Sequence, residues 1–341
     1  MLQKILFSGK IKRSATVCLM SEEIREVRFM FIIVFQQVFI MFLLMLIGFV
    51  YAKTTGMKKE ECNRICNILL MIVTPCLLLS NLQRPFSPEI AKEMLFSLAL
   101  AVFSSFLAIL AARFLFLPRG QEENRRIERY GASFGNVGFI GIPLVTGIFG
   151  AEYAVFAVVF VVVFHVLSWT VGVGILKGSF RQMSWKEALL NPGVLSALVA
   201  VPLFVLNITL PSPFGPVVNY ISSLNTPLAM LVCGFFIAGV DWKRFGERGV
   251  LYTSLTRLVL IPLLTMLLYW ALGLHHWIGD GATLVMVNLI AGACPSAIAT
   301  SMMSARYGLD GEYASVIVAV TTVGCLVTVP LIAMLGQMIF V

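Results

Sequence analysis

With 341 residues, 59% of them hydrophobic and only 12% charged, and a mean hydropathy of +0.93, the chain lies outside the composition of water-soluble domains. Its net charge of +8 is therefore weighed against membrane topology before any anionic partner, and no nucleic-acid motif accompanies it. The seven cysteines are odd in number and mostly sit in apolar runs, where they pack as small hydrophobes; Cys62 and Cys66, four apart beside basic residues, have the spacing of a metal or redox pair.

Residues 1–29 form a polar tail of mixed charge without the small-residue pattern of a signal-peptide cleavage site, and Met30 is a candidate for the true start. Beyond it, ten apolar runs are long enough for a ~30 Å hydrocarbon core, about 20 residues each. They cover approximately 30–51, 64–82, 90–116, 130–149, 152–176, 188–210, 219–240, 250–273, 281–304 and 313–340. The expected fold class is an all-α polytopic membrane protein of ten transmembrane helices. Lysine and arginine alternate sharply between the connections: sixteen fall on one side, from Lys53 to Arg306, and only Arg84 and Lys92 on the other. Basic loops stay in the cytoplasm, so both termini are expected outside the cytoplasmic membrane. The six basic residues of the N-terminal tail conflict with that placement, which strengthens the case for Met30.

The fourth and ninth runs share a pattern. GNVGFIGIP, from Gly135 to Pro143, places Asn136 seven residues before Pro143; NLIAGACP places Asn288 seven before Pro295, and both offsets are 152. Asn67, Thr74 and Pro75 match Asn219, Thr226 and Pro227 at the same offset, whereas AEYA at 151–154 matches GEYA at 311–314 at 160, which implies eight residues inserted after the second motif. The chain thus divides into a five-helix repeat over 30–176 and a second over 188–341. An odd number of spans inverts the second repeat, the arrangement that permits alternating access around a midplane site. Proline and nearby glycine are expected to unwind spans 4 and 9 there, so that the half-helix after each proline offers its positive end. Two such ends facing each other make an anion site from backbone alone. Asn136, Gly141, Pro143, Asn288, Pro295 and Ser296 are its candidate substrate-binding residues. The plainer alternative is that the prolines kink and the asparagines tie helices together.

Three further groups stand out. His165 lies about thirteen residues into the fifth span, where an imidazole relays protons or simply bonds a neighbouring carbonyl. Arg257, two turns into the eighth, either supplies counter-charge to an anion or snorkels to the headgroups. Glu152 and Glu312 open repeat-equivalent spans, as gates or as ordinary N-terminal charges. The adjacent His275 and His276 point different ways in an outer loop, which disfavours a metal site there.

The stretches GNVGFIGIPLV and ACPSAIAT, the Asn-Thr-Pro-Leu of the seventh span and the ending TTVGCLVTVPLI resemble the bacterial auxin efflux carrier family, related to the plant PIN carriers, over residues 30 to 341. The resemblance implies two inverted five-helix repeats, a scaffold part and a transport part with crossing broken helices, and movement of small organic anions such as malonate or other carboxylates. No cofactor or metal follows from it. Its partners are a small organic anion and the lipid bilayer, with protons and a second copy of the chain as further candidates and no nucleic acid. The fold is more distantly similar to bile acid sodium symporters, so sodium-coupled anion symport is one alternative, although neither span 4 nor span 9 holds an Asp or Glu. A membrane receptor without flux is another. Hydrolytic, metal or ATP-driven chemistry lacks HExxH, GxSxG and P-loop motifs, so an enzyme is not expected.

Overall fold

The computed structural model describes the backbone of residues 2–116, 121–179, 181, 186 and 189–341, with side chains from Arg28 onward except Phe29. The secondary structure of these residues is helical: α1 (Leu2–Thr55), α2 (Lys59–Asn81), α3 (Pro88–Leu115), α4 (Glu122–Ser133), α5 (Val137–Phe149), α6 (Ala151–Lys177), α7 (Pro192–Val205), α8 (Phe214–Ala238), α9 (Arg248–Ala271), α10 (Gly281–Gly292), α11 (Ala299–Arg306) and α12 (Gly311–Phe340). Seven are long and apolar enough to cross a membrane: α1 from Met30, α2, α3, α6, α8, α9 and α12; α5, α7 and α10 are shorter apolar helices. The chain is therefore a polytopic, all-helical membrane protein. Helix α1 runs unbroken from Leu2, so the expected tail is continuous with the first span.

Helix starts follow local sequence. Ser87 accepts the N–H of Ile90 and precedes Pro88; Asn191 accepts the N–H of Gly193 and precedes Pro192; Asp310 accepts the N–H groups of Glu312 and Tyr313. Interior prolines act differently from the expectation. Pro75, Pro143 and Pro262 do not break their helices; each follows a wide π-turn, over Leu69–Val73, Val137–Gly141 and Thr256–Leu260 respectively. A proline ring crowds the carbonyl four residues back and donates no hydrogen bond, and a turn bonded five residues apart absorbs both defects.

Helices α1, α2, α7 and α8 pack together, with α1 running along α8 and α7 against the second half of α2; α3 packs on α6, and α10 sits among α3, α6 and α12. Where α1 meets α8, a methyl on Gly234 would strike the Met45 carbonyl and one on Gly48 the Leu231 carbonyl, so two glycines let the backbones touch. Large apolar side chains such as Phe35, Ile47, Leu95, Phe114, Leu198 and Leu267 face outward. Buried polar groups gather inside instead, around two interrupted helices.

Candidate functional site

The first interruption separates α4 from α5. Phe134 is extended (φ −111°, ψ 113°) and Asn136 restarts the helix, so the unwound residues, 134–136, precede Pro143 rather than surrounding it. The second separates α10 from α11 and does include Pro295. The two breaks cross antiparallel. The N–H of Asn136 donates to the Pro295 carbonyl at 2.7 Å, and the N–H of Ala297 donates to the Phe134 carbonyl at 3.0 Å. Ser296 closes the junction: its N–H donates to Thr321 Oγ1 at 3.1 Å and its hydroxyl to the Gly131 carbonyl at 2.8 Å. Backbone groups freed by unwinding are thus satisfied by protein, as hydrocarbon depth requires.

Each break exposes one helix C-terminus and one N-terminus, and the two kinds of end meet different neighbours. Arg257, buried, reaches both C-termini from the π-turn of α9. Its Nε donates to the Cys294 carbonyl at 2.8 Å and its Nη2 to that of Gly292 at 2.7 Å; Nη1 donates to the carbonyls of Ala132 at 3.3 Å and Ser133 at 3.5 Å. Snorkelling is thereby excluded. A cation at the negative ends of two helices is electrostatically favourable, and the planar fork matches carbonyls on both.

The N-termini instead flank a small, partly open cavity of about 60 Å³. Gly135 to Phe139 line it from the break and the first turn of α5 and Ala297 to Ala299 from the start of α11; Cys66, Leu70 and Thr74 of α2, Val161, Phe164 and His165 of α6 and Met302 complete the wall. First-turn amides of a helix lack intrahelical partners and carry partial positive charge, so the cavity suits an anionic group. Two side chains there have polar capacity to spare. The Asn136 amide makes only a 4.0 Å contact to Cys233 Sγ, and His165 Nδ1, in a side chain 7% exposed, has no hydrogen-bond partner among the described residues. The His165 ring also abuts Gly193 at the start of α7, where any side chain would collide with it.

Of the residues expected to bind substrate, the structure brings Asn136 to this cavity together with His165. The other five build the crossing or lie beside it. Asn288 is interior to α10, where its amide donates to Ser97 Oγ at 2.9 Å and to the Leu284 carbonyl at 3.1 Å. Gly141 faces Cys294 across the junction, the Pro143 carbonyl accepts from Gln37 Nε2 at 3.2 Å, and Pro295 and Ser296 carry the antiparallel pairing. Glu152 accepts Arg84 through its main-chain carbonyl, and Glu312 lies at the other end of the molecule beside Lys58 and Ser315. Cys66 Sγ contacts Met302 Sδ at 3.7 Å. The His275 and His276 rings come together, with centroids 3.8 Å apart, contrary to the expectation of divergent side chains. Thr74 was legible only as a repeat marker, yet it lines the cavity; Gly135, in the first break and paired with Ser296 of the second, was legible as a loosening residue but not as a contact.

A family model described as membrane transport protein matches the chain twice, over residues 33–181 and 176–333. An uncharacterized transporter of Methanocaldococcus jannaschii is 27% identical over 306 residues, spanning 86% of this chain and 96% of its own length. The uncharacterized transporter YfdV of Escherichia coli K12 is 21% identical over 305 residues, 84% of this chain and 93% of its own. A Rhizobium meliloti protein provisionally named a malonate transporter is 22% identical over 296 residues, 84% and 90% of the two chains.

Proposed function

Because the chain belongs to the membrane transport protein family, that of the auxin efflux carriers, we propose that it is a secondary transporter moving small organic anions across the cytoplasmic membrane by alternating access. The carrying observation is the cavity faced by two helix N-termini, whose lining includes the Asn136 side chain and His165 and no carboxylate. A carboxylate bound there takes hydrogen bonds from first-turn amides of α5 and α11, with Asn136 adding a side-chain donor. Malonate is the first ligand to try, given the name of the Rhizobium relative.

In this reading the seven long and three shorter apolar helices are ten spans, in inverted repeats over 30–176 and 188–341. The match of the family model to each half of the chain, over 33–181 and 176–333, supports a repeated arrangement. Helices α1, α2, α7 and α8 form the scaffold and the remainder the moving part, with the cavity between α2 and the crossing. His165 couples a proton to the anion, because an imidazolium beside a bound carboxylate is stabilised.

Uptake of radiolabelled mono- and dicarboxylates by reconstituted vesicles, with and without a pH gradient, tests this reading. At least one carboxylate is expected to accumulate, faster with the gradient, and His165→Gln is expected to flatten the pH dependence while binding stays measurable. A strict sodium requirement, or no carboxylate flux at all, overturns it.

A further inference from the structure

We propose that Arg257 is the positioning residue of the anion site: it fastens the two helix breaks to each other and holds a positive charge behind the cavity without touching the anion. The inference rests on the anion-site reading above and concerns a group outside that cavity's lining. Four carbonyls, two from each interrupted helix, accept from one guanidinium carried by a third helix, α9. No other described side chain bonds both breaks at their C-termini, and α9 delivers it through the π-turn Thr256–Leu260.

The electrostatic consequence follows from the direction of the helix dipoles. Each break places a negative C-terminus as close to the crossing as its positive N-terminus, so the two ends would largely cancel for an anion in the cavity. Arg257 neutralises the C-terminal pair, leaving the N-termini dominant. No Asp or Glu lines either the cavity or the smaller space around Arg257, which is bounded by Ser104, Ser133 and Thr265, so no carboxylate offsets its charge there. Gly135 and Phe164 line both spaces, and a methyl on Gly135 would collide with the guanidinium. Arginine is required by geometry as well as by charge: a lysine keeps the charge but, as a compact point donor, cannot span carbonyls on both helices.

The test compares wild type with Arg257→Lys, Arg257→Gln and Gly135→Ala, measuring binding of malonate and of its monomethyl ester above neutral pH, together with uptake and thermal stability. Coulomb attraction scales with ligand charge, so Arg257→Gln is expected to weaken malonate binding about tenfold or more and the singly charged ester distinctly less. Arg257→Lys is expected to bind malonate within about threefold of wild type, the charge being kept. Its uptake, and that of Gly135→Ala, should fall about tenfold or more because the fork no longer ties the breaks. Equal losses for both ligands in Arg257→Gln overturn the charge role, and wild-type uptake in both Arg257→Lys and Gly135→Ala overturns the fastening role. Should Arg257→Gln fail to accumulate, Arg257→Lys and Gly135→Ala still decide the fastening role, and the charge role is decided by the preference of wild type and Arg257→Lys for malonate over its ester, whose absence overturns it. Failure of wild-type protein to bind either ligand removes the anion-site reading itself, a result distinct from any pattern among the variants.

Discussion

Asn136 and Asn288 carry the same side chain at the same spacing from a proline, and their surroundings give them different work. Asn136 borders the cavity with an amide engaged only by a distant sulfur, whereas Asn288 is 1% exposed and bonded to Ser97 and Leu284. Replacing Asn136 by alanine removes a donor and an acceptor from a water-poor site, a loss of roughly 1–3 kcal/mol, or about five- to 150-fold in affinity, with stability little changed. Replacing Asn288 by alanine instead leaves Ser97 without its donor inside packed helices, so roughly the same energy is expected as lost thermal stability while affinity survives. Ligand titration and thermal unfolding of both variants beside the exposed control Lys186→Ala separate these outcomes. Reversal of the two phenotypes would show that the cavity is not the binding site.

At the scale of elements, apolar runs were legible because membrane spans are written in long stretches of hydropathy: seven of the ten meet helices long enough to cross, with ends agreeing to within about five residues, and the other three meet the shorter helices Val137–Phe149, Pro192–Val205 and Gly281–Gly292. The interruptions of spans 4 and 9 were legible too, but not their register. Pro143 seemed to mark the first break, yet a π-turn accommodates it, and the chain unwinds at Phe134–Asn136 where the crossing strand and Arg257 supply partners. Proline chemistry is local, whereas the place of a break is decided by what lies across from it. Helix α12 illustrates a start that sequence and structure read alike. Asp310 caps it and pairs with Arg244 at 2.8 Å, while the guanidinium lies 5.0 Å from the centre of the Tyr313 ring. Burial pushes the Asp310 carboxyl up, but the N–H of Tyr313 and the Arg244 pair together outweigh it and hold the group below its ordinary value of 3.8. A carboxyl depressed in the folded state stabilises above its unfolded value, and the contribution fades as pH falls through 3.8 and below. Asp310→Ala is therefore expected to cost about 1 kcal/mol at neutral pH, chiefly as a lost cap because the ion pair is partly solvated. Thermal unfolding at pH 7 and at pH 3 should show that difference shrinking; a difference unchanged by pH would assign it to packing.

At the scale of the whole molecule, charge and internal repetition bear on the same arrangement from independent directions. The sixteen-to-two distribution of basic residues among the connections assigns sides without reference to the repeat, and the family model matches each half of the chain without reference to charge. If five spans separate each residue from its counterpart, an inverted repeat requires those counterparts to enter the membrane in opposite senses, so Glu122 at the start of α4 and Gly281 at the start of α10 must face opposite sides. The basic cluster Arg125, Arg126 and Arg129 on α4 then lies in the cytoplasm, and the connection before α10, from His275 to Asp280 without lysine or arginine, lies outside, as does Val341. Reporter fusions check each position separately. A cytoplasm-active reporter is expected to work when inserted near Arg125 and to stay silent near Asp280 and after Val341, with a periplasm-active reporter showing the converse. Activity of the cytoplasmic reporter at both Arg125 and Asp280 would place the starts of α4 and α10 on one side, which a pseudo-two-fold axis in the membrane plane forbids, and the crossing would then be a local pairing without the inverted symmetry on which alternating access depends.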